Sequence, residues 1–391
     1  MQKGRIIWSV SLLTLFVCLL PLSVKIFGSG CFAKKVNLFD ANKIDRAYQT
    51  IATSASENDE AESSAVNRES GAVVIEATTK RVLYSNNKDV KLFPASTTKV
   101  LTALTVLNNV SDIDEEIEIP SVAVGVEGSS IYLKNGDKRT IRELLYGLML
   151  RSGNDAAVAL AVTASGSVED FVLKMNETAK LLGAENSNFK NPHGLHDDEH
   201  YTTAYDLALI TAAAFKNDTF KQIVGTKNIK FDDRYYQNKN KMLWNYDGAN
   251  GVKTGYTKAS GRCLVSSALR DDMQLICVVL NHYGMWEDSK AYMERAFKEY
   301  KMRPLFELEN ETINVLKGKS DSVKVYADSL LYPIRDGETF DIQIKKNDLS
   351  APFKENTKCG TVNVYDGNHL IFSSKLYTIC GVERKSIFDR K

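Results

Sequence analysis

The sequence predicts an α+β domain followed by a small all-β domain, and three patterns support this prediction. Strand-like runs occur near residues 71–84 and 262–281, on either side of a mainly helical stretch. A further helical pattern at 287–300 ends before Pro304. From residue 305 onwards, short runs alternate apolar and polar residues between Gly, Asp and Asn, which is typical of a β domain.

Local signals justify the elements of the first domain in order. Two apolar runs around residues 77–80 predict a β-hairpin, and Pro94 precedes a helix whose apolar residues repeat at helical spacing. Thr140 and Glu143 have the spacing of a capping box, and Gly153 then interrupts the apolar pattern. The remaining patterns predict helices at 155–163, 168–182 and 204–215 and a second hairpin that joins 262–269 to 273–281.

The composition is that of an ordinary globular protein. The chain has 391 residues, of which 43% are hydrophobic and 25% are charged, and its formal net charge is +1. These values exclude a collagen-like, coiled-coil or wholly disordered chain. Because the positive and negative charges nearly balance, no nucleic-acid partner is expected.

Six cysteines are too few to form a disulfide-based scaffold of this size. Cys263 and Cys277 lie in consecutive strand-like runs, and Cys359 and Cys380 lie near the C-terminus. A disulfide within either pair and buried thiols both remain open at this point.

The N-terminal residues predict export from the cytoplasm. Lys3 and Arg5 precede an apolar stretch, and small residues follow it, so residues 1–33 are interpreted as a signal peptide or an N-terminal membrane anchor. Residues 34–64 are polar and are interpreted as a spacer. The functional part is therefore expected outside the cytoplasm, in the cell envelope, either tethered to the membrane or secreted.

Three short motifs carry the candidate chemistry. Ser96 and Lys99 are one helical turn apart at a helix start, so a lysine with a lowered pKa can take the serine proton. Ser152 and Asn154 stand 56 residues later, in a break between helices. Lys253 begins a Lys-Thr-Gly sequence another 101 residues on, where strands begin. Free N–H groups at a helix start also stabilise developing negative charge.

Each motif alone is a weak signal, whereas their combination is informative. Ser-x-x-Lys also occurs at 85–88 and 187–190, where the residues are typical of turns, and Ser-x-Asn recurs at 56–58 and 85–87. Lys-Thr-Gly occurs once. Together, and in this order, the three motifs are the signature of penicillin-binding proteins and serine β-lactamases.

With these residues the sequence resembles the bacterial D-alanyl-D-alanine carboxypeptidases, the low-molecular-mass penicillin-binding proteins. The resemblance covers residues 65–302 well and the β domain at 305–391 more loosely. It implies a β-lactamase/transpeptidase-like catalytic domain, with an antiparallel sheet and a helical subdomain. The segments that carry it are 93–99, 150–156, 191–195, 200–204, 243–246 and 251–257.

The resemblance also implies roles for individual residues. It implies that Ser96 attacks the carbonyl of the penultimate D-alanine of a peptidoglycan stem peptide. Lys99 is then the base, Ser152 relays a proton to the leaving nitrogen, and Asn154 orients Lys99 and the substrate amide.

On the same resemblance, Lys253 and Thr254 hold the terminal carboxylate, and Gly255 allows the substrate backbone to approach. The backbone N–H groups of Ser96 and Tyr256 form the oxyanion hole. β-Lactam antibiotics are expected to acylate Ser96, and neither a cofactor nor a metal is expected.

Three alternatives accompany this prediction. A class A β-lactamase is expected to have Ser-Asp-Asn as its middle motif, whereas this chain has Ser-Gly-Asn. A zinc peptidase would use His193, His196 and His200, but Asp197 replaces the glutamate that should follow the first histidine of a zinc helix. A non-catalytic wall-binding scaffold would have no need for Lys99 beside a serine.

Overall fold

The computed structural model of the chain describes residues 69–232 and 234–386. The predicted signal peptide or anchor at 1–33 and the predicted spacer at 34–64 lie outside the described residues.

A five-stranded antiparallel sheet forms the frame of the first domain. Its strand order is β2-β1-β9-β8-β7, so the first hairpin of the chain pairs with strands that lie about 200 residues later. The strands are β1 (Gly71–Glu76), β2 (Val82–Asn86), β7 (Ala249–Thr257), β8 (Gly261–Arg270) and β9 (Met273–Leu280). Both predicted hairpins are confirmed.

Side chains alternate between the two faces of this sheet, and both faces are buried. Val73 and Ile75 belong to the large core that faces the helical subdomain. Ala72 and Val74 belong to a second core, which the long helix before residue 300 covers with Met293 and other apolar side chains. The sheet is therefore held rigidly between two helical layers.

The helical subdomain lies between β2 and β7 in the chain. Four of its helices begin at a side-chain cap in which Thr140, Ser167, Thr203 or Asn217 accepts a backbone N–H three residues ahead. The helices are α1 (Lys99–Asn109), α2 (Ile141–Tyr146), α3 (Asn154–Ser165), α4 (Val168–Leu181), α5 (Ala204–Ala214), α6 (Asp218–Gly225) and α7 (Met242–Asn245), and α8 (Met285–Glu299) follows the sheet. Two small hairpins complete it, β3 (Glu116–Glu118) with β4 (Lys138–Thr140) and β5 (Asn228–Phe231) with β6 (Arg234–Gln237).

The C-terminal part is an all-β domain with a core of its own. Six strands form a sheet in the order β14-β16-β17-β12-β11-β15, and Val362, Val364 and Leu376 are fully buried in it. A separate strand pair, β10 with β13, connects this domain to the end of α8. The strands are β10 (Tyr300–Pro304), β11 (Thr312–Leu316), β12 (Ser322–Tyr326), β13 (Leu331–Arg335), β14 (Asp341–Lys346), β15 (Leu349–Ser350), β16 (Lys358–Asp366) and β17 (His369–Thr378).

The arrangement confirms the predicted fold class, an α+β domain with an antiparallel sheet and a helical subdomain, followed by a small all-β domain. Cys263, Cys277 and Cys359 are reduced thiols. The two disulfides that the sequence left open are therefore not formed. Burial raises the pKa of Cys263 and of Cys277 to about 12.

Between residues 69 and 386, apart from 233, no single helix is long and apolar enough to cross a membrane. The helices α3 and α4 reach that length and composition only as a pair, which bends by 85°.

Candidate active site

Ser96 lies in a 3-10 turn, Ala95–Thr98, that leads directly into α1. We refer to this segment as the Ser96 turn. The Thr97 hydroxyl and backbone N–H both donate to Pro94 O, at 2.6 and 3.2 Å. Ala95 has a φ of +49°, which is unusual for a residue with a side chain. The turn therefore holds Ser96 in a constrained position at a helix N-terminus.

A loop of the helical subdomain packs against the Ser96 turn. Gly194 has a φ of +85°, and a Cβ atom built on it would lie only 1.8 Å from Ala95 O. Only glycine fits such a contact, because real Cβ atoms do not approach other atoms so closely. The segment 191–195, which contributed to the family resemblance, is thus a direct packing partner of the Ser96 turn.

Lys99 is fully buried and its ammonium nitrogen meets three oxygen atoms. Nζ lies 3.0 Å from Ser96 Oγ, 2.7 Å from Asn154 Oδ1 and 2.6 Å from His193 O. Burial, followed by repulsion from Lys253, lowers the pKa of Lys99 well below its usual value. A neutral amine has two N–H donors and one lone pair. Since the two carbonyl oxygens can only accept, the lone pair of a neutral Lys99 is directed to the Ser96 hydroxyl.

Ser152 and Asn154 lie at the junction between two helices. A π-helical turn, Gly147–Arg151, continues α2 and ends at Ser152, which has left-handed backbone angles. Ser152 is only 3% exposed, and its hydroxyl makes no side-chain hydrogen bond to any residue between 69 and 386, Asp233 aside. The Asn154 amide donates to Glu127 O at 2.5 Å while its oxygen accepts from Lys99. Asn154 is therefore held in one orientation.

Asp155 is a site residue that the sequence analysis missed. Its carboxylate is 1% exposed and accepts from Ser130 Oγ at 2.6 Å, from Ile131 N at 3.0 Å and from Leu133 N at 3.1 Å. These bonds fix the loop 127–133 beside Asn154. The signal in the sequence was a lone acidic residue in the first turn of an otherwise apolar, Ala-rich helix.

The β7 strand brings the third motif to the same place. A Cβ atom built on Gly255 would lie 3.0 Å from Pro94 O and 3.1 Å from Ser96 N, so the strand passes directly along the Ser96 turn. Lys253 is 1% exposed and donates to Thr254 O at 2.9 Å. Burial and repulsion from Lys239 lower the pKa of Lys253 to about 7. Tyr256 is 66% exposed at the rim.

The other two Ser-x-x-Lys sequences form no serine–lysine pair. Ser187 Oγ donates to Asp206 at 2.7 Å, and Lys190 pairs with Glu199 at 2.9 Å. Lys88 pairs with Asp89. Of the three matches, only Ser96 and Lys99 are in contact.

The three histidines make separate contacts rather than a common site. His200 Nδ1 accepts from Lys190 N at 3.2 Å and its Nε2 lies 2.9 Å from Thr98 Oγ1, whereas His193 Nδ1 accepts from Leu195 N. Burial lowers the pKa of His193 to about 3 and that of His200 to about 4. In the described part of the chain, no group of three or more His, Cys, Asp or Glu side chains is placed to hold a metal ion.

Comparisons with known proteins agree with this geometry. The family model for D-alanyl-D-alanine carboxypeptidase matches residues 56–284, and that for the C-terminal domain of penicillin-binding protein 5 matches residues 300–384. The D-alanyl-D-alanine carboxypeptidase DacF of Bacillus subtilis is 34% identical over 316 residues, which cover 74% of this chain and 80% of that protein. DacA of Escherichia coli is 31% identical over 324 residues, covering 74% and 78% of the two chains.

Among solved structures, penicillin-binding protein 5 from Haemophilus influenzae is 27% identical, with a TM-score of 0.67. The match covers 83% of this chain and 100% of that chain. The family match, the two curated relatives and the contact between Ser96 and Lys99 all lead to one conclusion. This chain belongs to the D-alanyl-D-alanine carboxypeptidase family of serine peptidases.

Proposed function

We propose that this enzyme removes the terminal D-alanine of peptidoglycan stem peptides through an acyl-enzyme at Ser96. The observation that carries the proposal is the contact of a fully buried Lys99 Nζ with Ser96 Oγ at 3.0 Å, while two carbonyl oxygens occupy its N–H groups. Burial keeps Lys99 neutral at lower pH than an ordinary lysine. Lys99 then takes the proton of Ser96 as its oxygen attacks the carbonyl carbon.

The developing oxyanion lies at the N-terminus of α1. The backbone N–H groups of Ser96 and Tyr256 are proposed to donate to it, which is supported by the close approach of Gly255 to Ser96 N. Preorganised donors of this kind typically contribute about 3–4 kcal/mol each to transition-state stabilisation.

The leaving D-alanine needs a proton for its nitrogen and a partner for its carboxylate. Ser152 is proposed to relay the proton, supported by a hydroxyl on a 3% exposed residue that makes no other hydrogen bond among the described residues. Lys253 and Thr254 are proposed to bind the terminal carboxylate, and Asn154 to orient Lys99 and the substrate amide. A bound carboxylate would keep Lys253 protonated, although its pKa is about 7 without one.

Water then hydrolyses the ester and restores Ser96. A β-lactam mimics the same peptide end, so we propose that penicillins acylate Ser96 in the same way. This reaction takes place outside the cytoplasm, with residues 1–33 serving as a signal peptide or as a membrane anchor. N-terminal sequencing of the protein recovered from membranes and from the medium distinguishes the two.

The test compares two substrates and two variants. The wild-type enzyme is expected to release D-alanine from an N-acylated peptide that ends in D-Ala-D-Ala, and Ser96→Ala is expected to release none. Ser85→Ala is the matched control, because Ser85 is an exposed serine of another Ser-x-x-Lys sequence. Rapid turnover of penicillin without release of D-alanine would instead identify a β-lactamase, and activity retained in Ser96→Ala would exclude the proposed nucleophile.

A further inference from the structure

A cationic groove of about 530 Å³ borders the motif that contains Ser152. Arg151, Lys239, Lys241 and Trp244 line it, and none of its lining residues is acidic. Arg151 and Lys241 form no ion pair with a carboxylate in the described residues. This groove therefore places three positive charges together without a negative partner.

Hydrogen bonds hold the loop that carries Lys239 and Lys241 in place. Asn238 is 5% exposed and donates to Val224 O and Thr226 O, at 3.2 and 3.0 Å. Its oxygen accepts from Asn240 N at 2.9 Å. The backbone N–H of Lys239 donates to Leu150 O at 3.2 Å, which ties the loop to the turn before Ser152.

The positive charges of the groove repel one another and also repel the two lysines of the active site. Partial burial and the Arg151 guanidinium lower the pKa of Lys239. Lys239 in turn lowers the pKa of Lys253 and contributes to the lowered pKa of Lys99. An anion bound between these side chains would relieve this repulsion.

The position of the groove indicates which part of a substrate would reach it. Arg151 directly precedes Ser152, to which the proposed function assigns the proton for the leaving nitrogen, and Lys239 acts on Lys253, to which it assigns the terminal carboxylate. Lys239 Nζ also lies 3.4 Å from Ser129 Oγ, and Ser129 O accepts from Asn154 N at 2.7 Å, so the groove lies beside the motif of Ser152 and Asn154. A leaving D-alanine has one carboxylate, which Lys253 and Thr254 already bind.

We infer that this groove is a subsite for a second carboxylate on the leaving residue, so that the enzyme also cleaves peptides whose leaving group is larger and more acidic than D-alanine. This inference rests on the proposed function of Ser96 and Ser152. The chemistry is unchanged: the ester bond to Ser96 Oγ forms, the C–N bond breaks, and the leaving nitrogen takes the proton. Water then cleaves the ester, which yields a free acid and restores the Ser96 hydroxyl.

The test uses N-acylated peptides that end in D-Ala-D-Glu and in D-Ala-D-Gln, which have the same shape and differ in one charge. We expect kcat/KM for the D-Glu peptide to exceed that for the D-Gln peptide at least about threefold, because a few partly exposed ion pairs contribute a stabilisation of that size. We expect this ratio to fall towards one in Arg151→Gln and in Lys241→Gln, and also at high salt. Lys241 is exposed, so its replacement keeps the test valid even where Arg151→Gln does not fold.

Lys180→Gln is the control, because Lys180 is an exposed lysine on α4 outside the groove. Lys180→Gln should leave the ratio of kcat/KM for the D-Glu and D-Gln peptides unchanged. In Lys241→Gln, the rate of D-alanine release from a D-Ala-D-Ala peptide should stay within about twofold of the wild-type rate. A ratio of one in the wild-type enzyme that still releases D-alanine would overturn the subsite and leave the proposed function intact. Release from none of the three peptides would overturn the proposed function itself.

A free anion is the other source of negative charge for the groove. Inorganic phosphate, added at constant ionic strength, should inhibit cleavage of the D-Glu peptide more than that of the D-Gln peptide. Equal inhibition of both, together with a ratio of one, would indicate a general anion site and overturn the leaving-group subsite.

Discussion

Replacing Asp155 with asparagine should destabilise the catalytic domain and slow acylation of Ser96. The Asp155 carboxylate accepts from Ala156 N at 2.9 Å through Oδ1, and through Oδ2 from Ser130 Oγ at 2.6 Å and Leu133 N at 3.1 Å. In Asp155→Asn an NH2 group replaces one of these oxygens, so at least one buried N–H faces another donor. The remaining bonds also lose the contribution of the negative charge. Leaving a buried donor unsatisfied and weakening its neighbours costs about 2–4 kcal/mol.

This cost converts into a measurable shift. For a domain of this size, about 2–4 kcal/mol in unfolding free energy lowers Tm by roughly 5–15 °C. Acylation should also slow, because the loop that Asp155 holds supplies Glu127 O to the Asn154 amide. Thermal unfolding by circular dichroism and the rate of penicillin labelling measure the two effects. Asp218→Asn is the control, since Asp218 is an exposed acid in the first turn of α6. An Asp155→Asn protein with an unchanged Tm and labelling rate would show that the Asp155 carboxylate does not stabilise the loop 127–133.

Three further predictions concern pH, packing and the contact between the domains. The value of kcat/KM should rise with pH as Lys99 loses its proton and fall as Lys253 loses its proton near pH 7. The falling limb should move to higher pH in Lys253→Arg, and a pH–rate profile in which it does not move would contradict the role of Lys253. Gly194→Ala should reduce acylation by about 100-fold or more, because its Cβ would displace the Ser96 turn; normal penicillin labelling of this variant would refute the packing argument. Arg81 donates to Glu338 at 3.0 Å across the two domains. Arg81→Ala should lower the free energy of unfolding in urea by about 1–2 kcal/mol and leave the rate of acylation within twofold. A larger loss of the acylation rate would show that the contact also supports the active site.

Local sequence signals predicted most elements of the fold, because capping, periodicity and turns act over a few residues. The helix predicted at 204–215 is observed as Ala204–Ala214, and the two hairpins form as predicted. The capping box at Thr140 forms only in part. The Thr140 side chain accepts from Glu143 N, but the Glu143 carboxylate contacts the Tyr236 hydroxyl at 3.2 Å. A tertiary contact thus replaces the second bond of the box.

The pairing of β1 with β9 could not be predicted from local patterns. It joins residues about 200 positions apart, and each strand alone would pair equally well with other apolar strands. The same holds for β10 and β13, which connect the two domains.

In the candidate site, too, local motifs were informative and long-range contacts could not be predicted. The motifs predicted the contacts of Lys99 with Ser96 and Asn154, but the Ser-x-x-Lys spacing alone does not produce them, because the matches at 85–88 and 187–190 form no such pair. The supporting contacts come from distant loops. His193 O binds Lys99, Gly194 lies against the Ser96 turn, and Asp155 fixes the loop 127–133. These contacts join parts of the chain that are far apart in the sequence, so local patterns could not predict which atoms meet.

On the proposed mechanism, Ser96 is the residue that becomes acylated. The most direct measurement is mass spectrometry of the purified full-length chain after incubation with a fluorescent penicillin, first on the intact protein and then on its proteolytic peptides. The wild-type protein and Ser85→Ala should each gain the mass of one penicillin on a peptide that contains Ser96, and Ser96→Ala should gain none. An acylated Ser96→Ala protein, or a folded wild-type protein that gains no mass, would exclude Ser96 as the nucleophile.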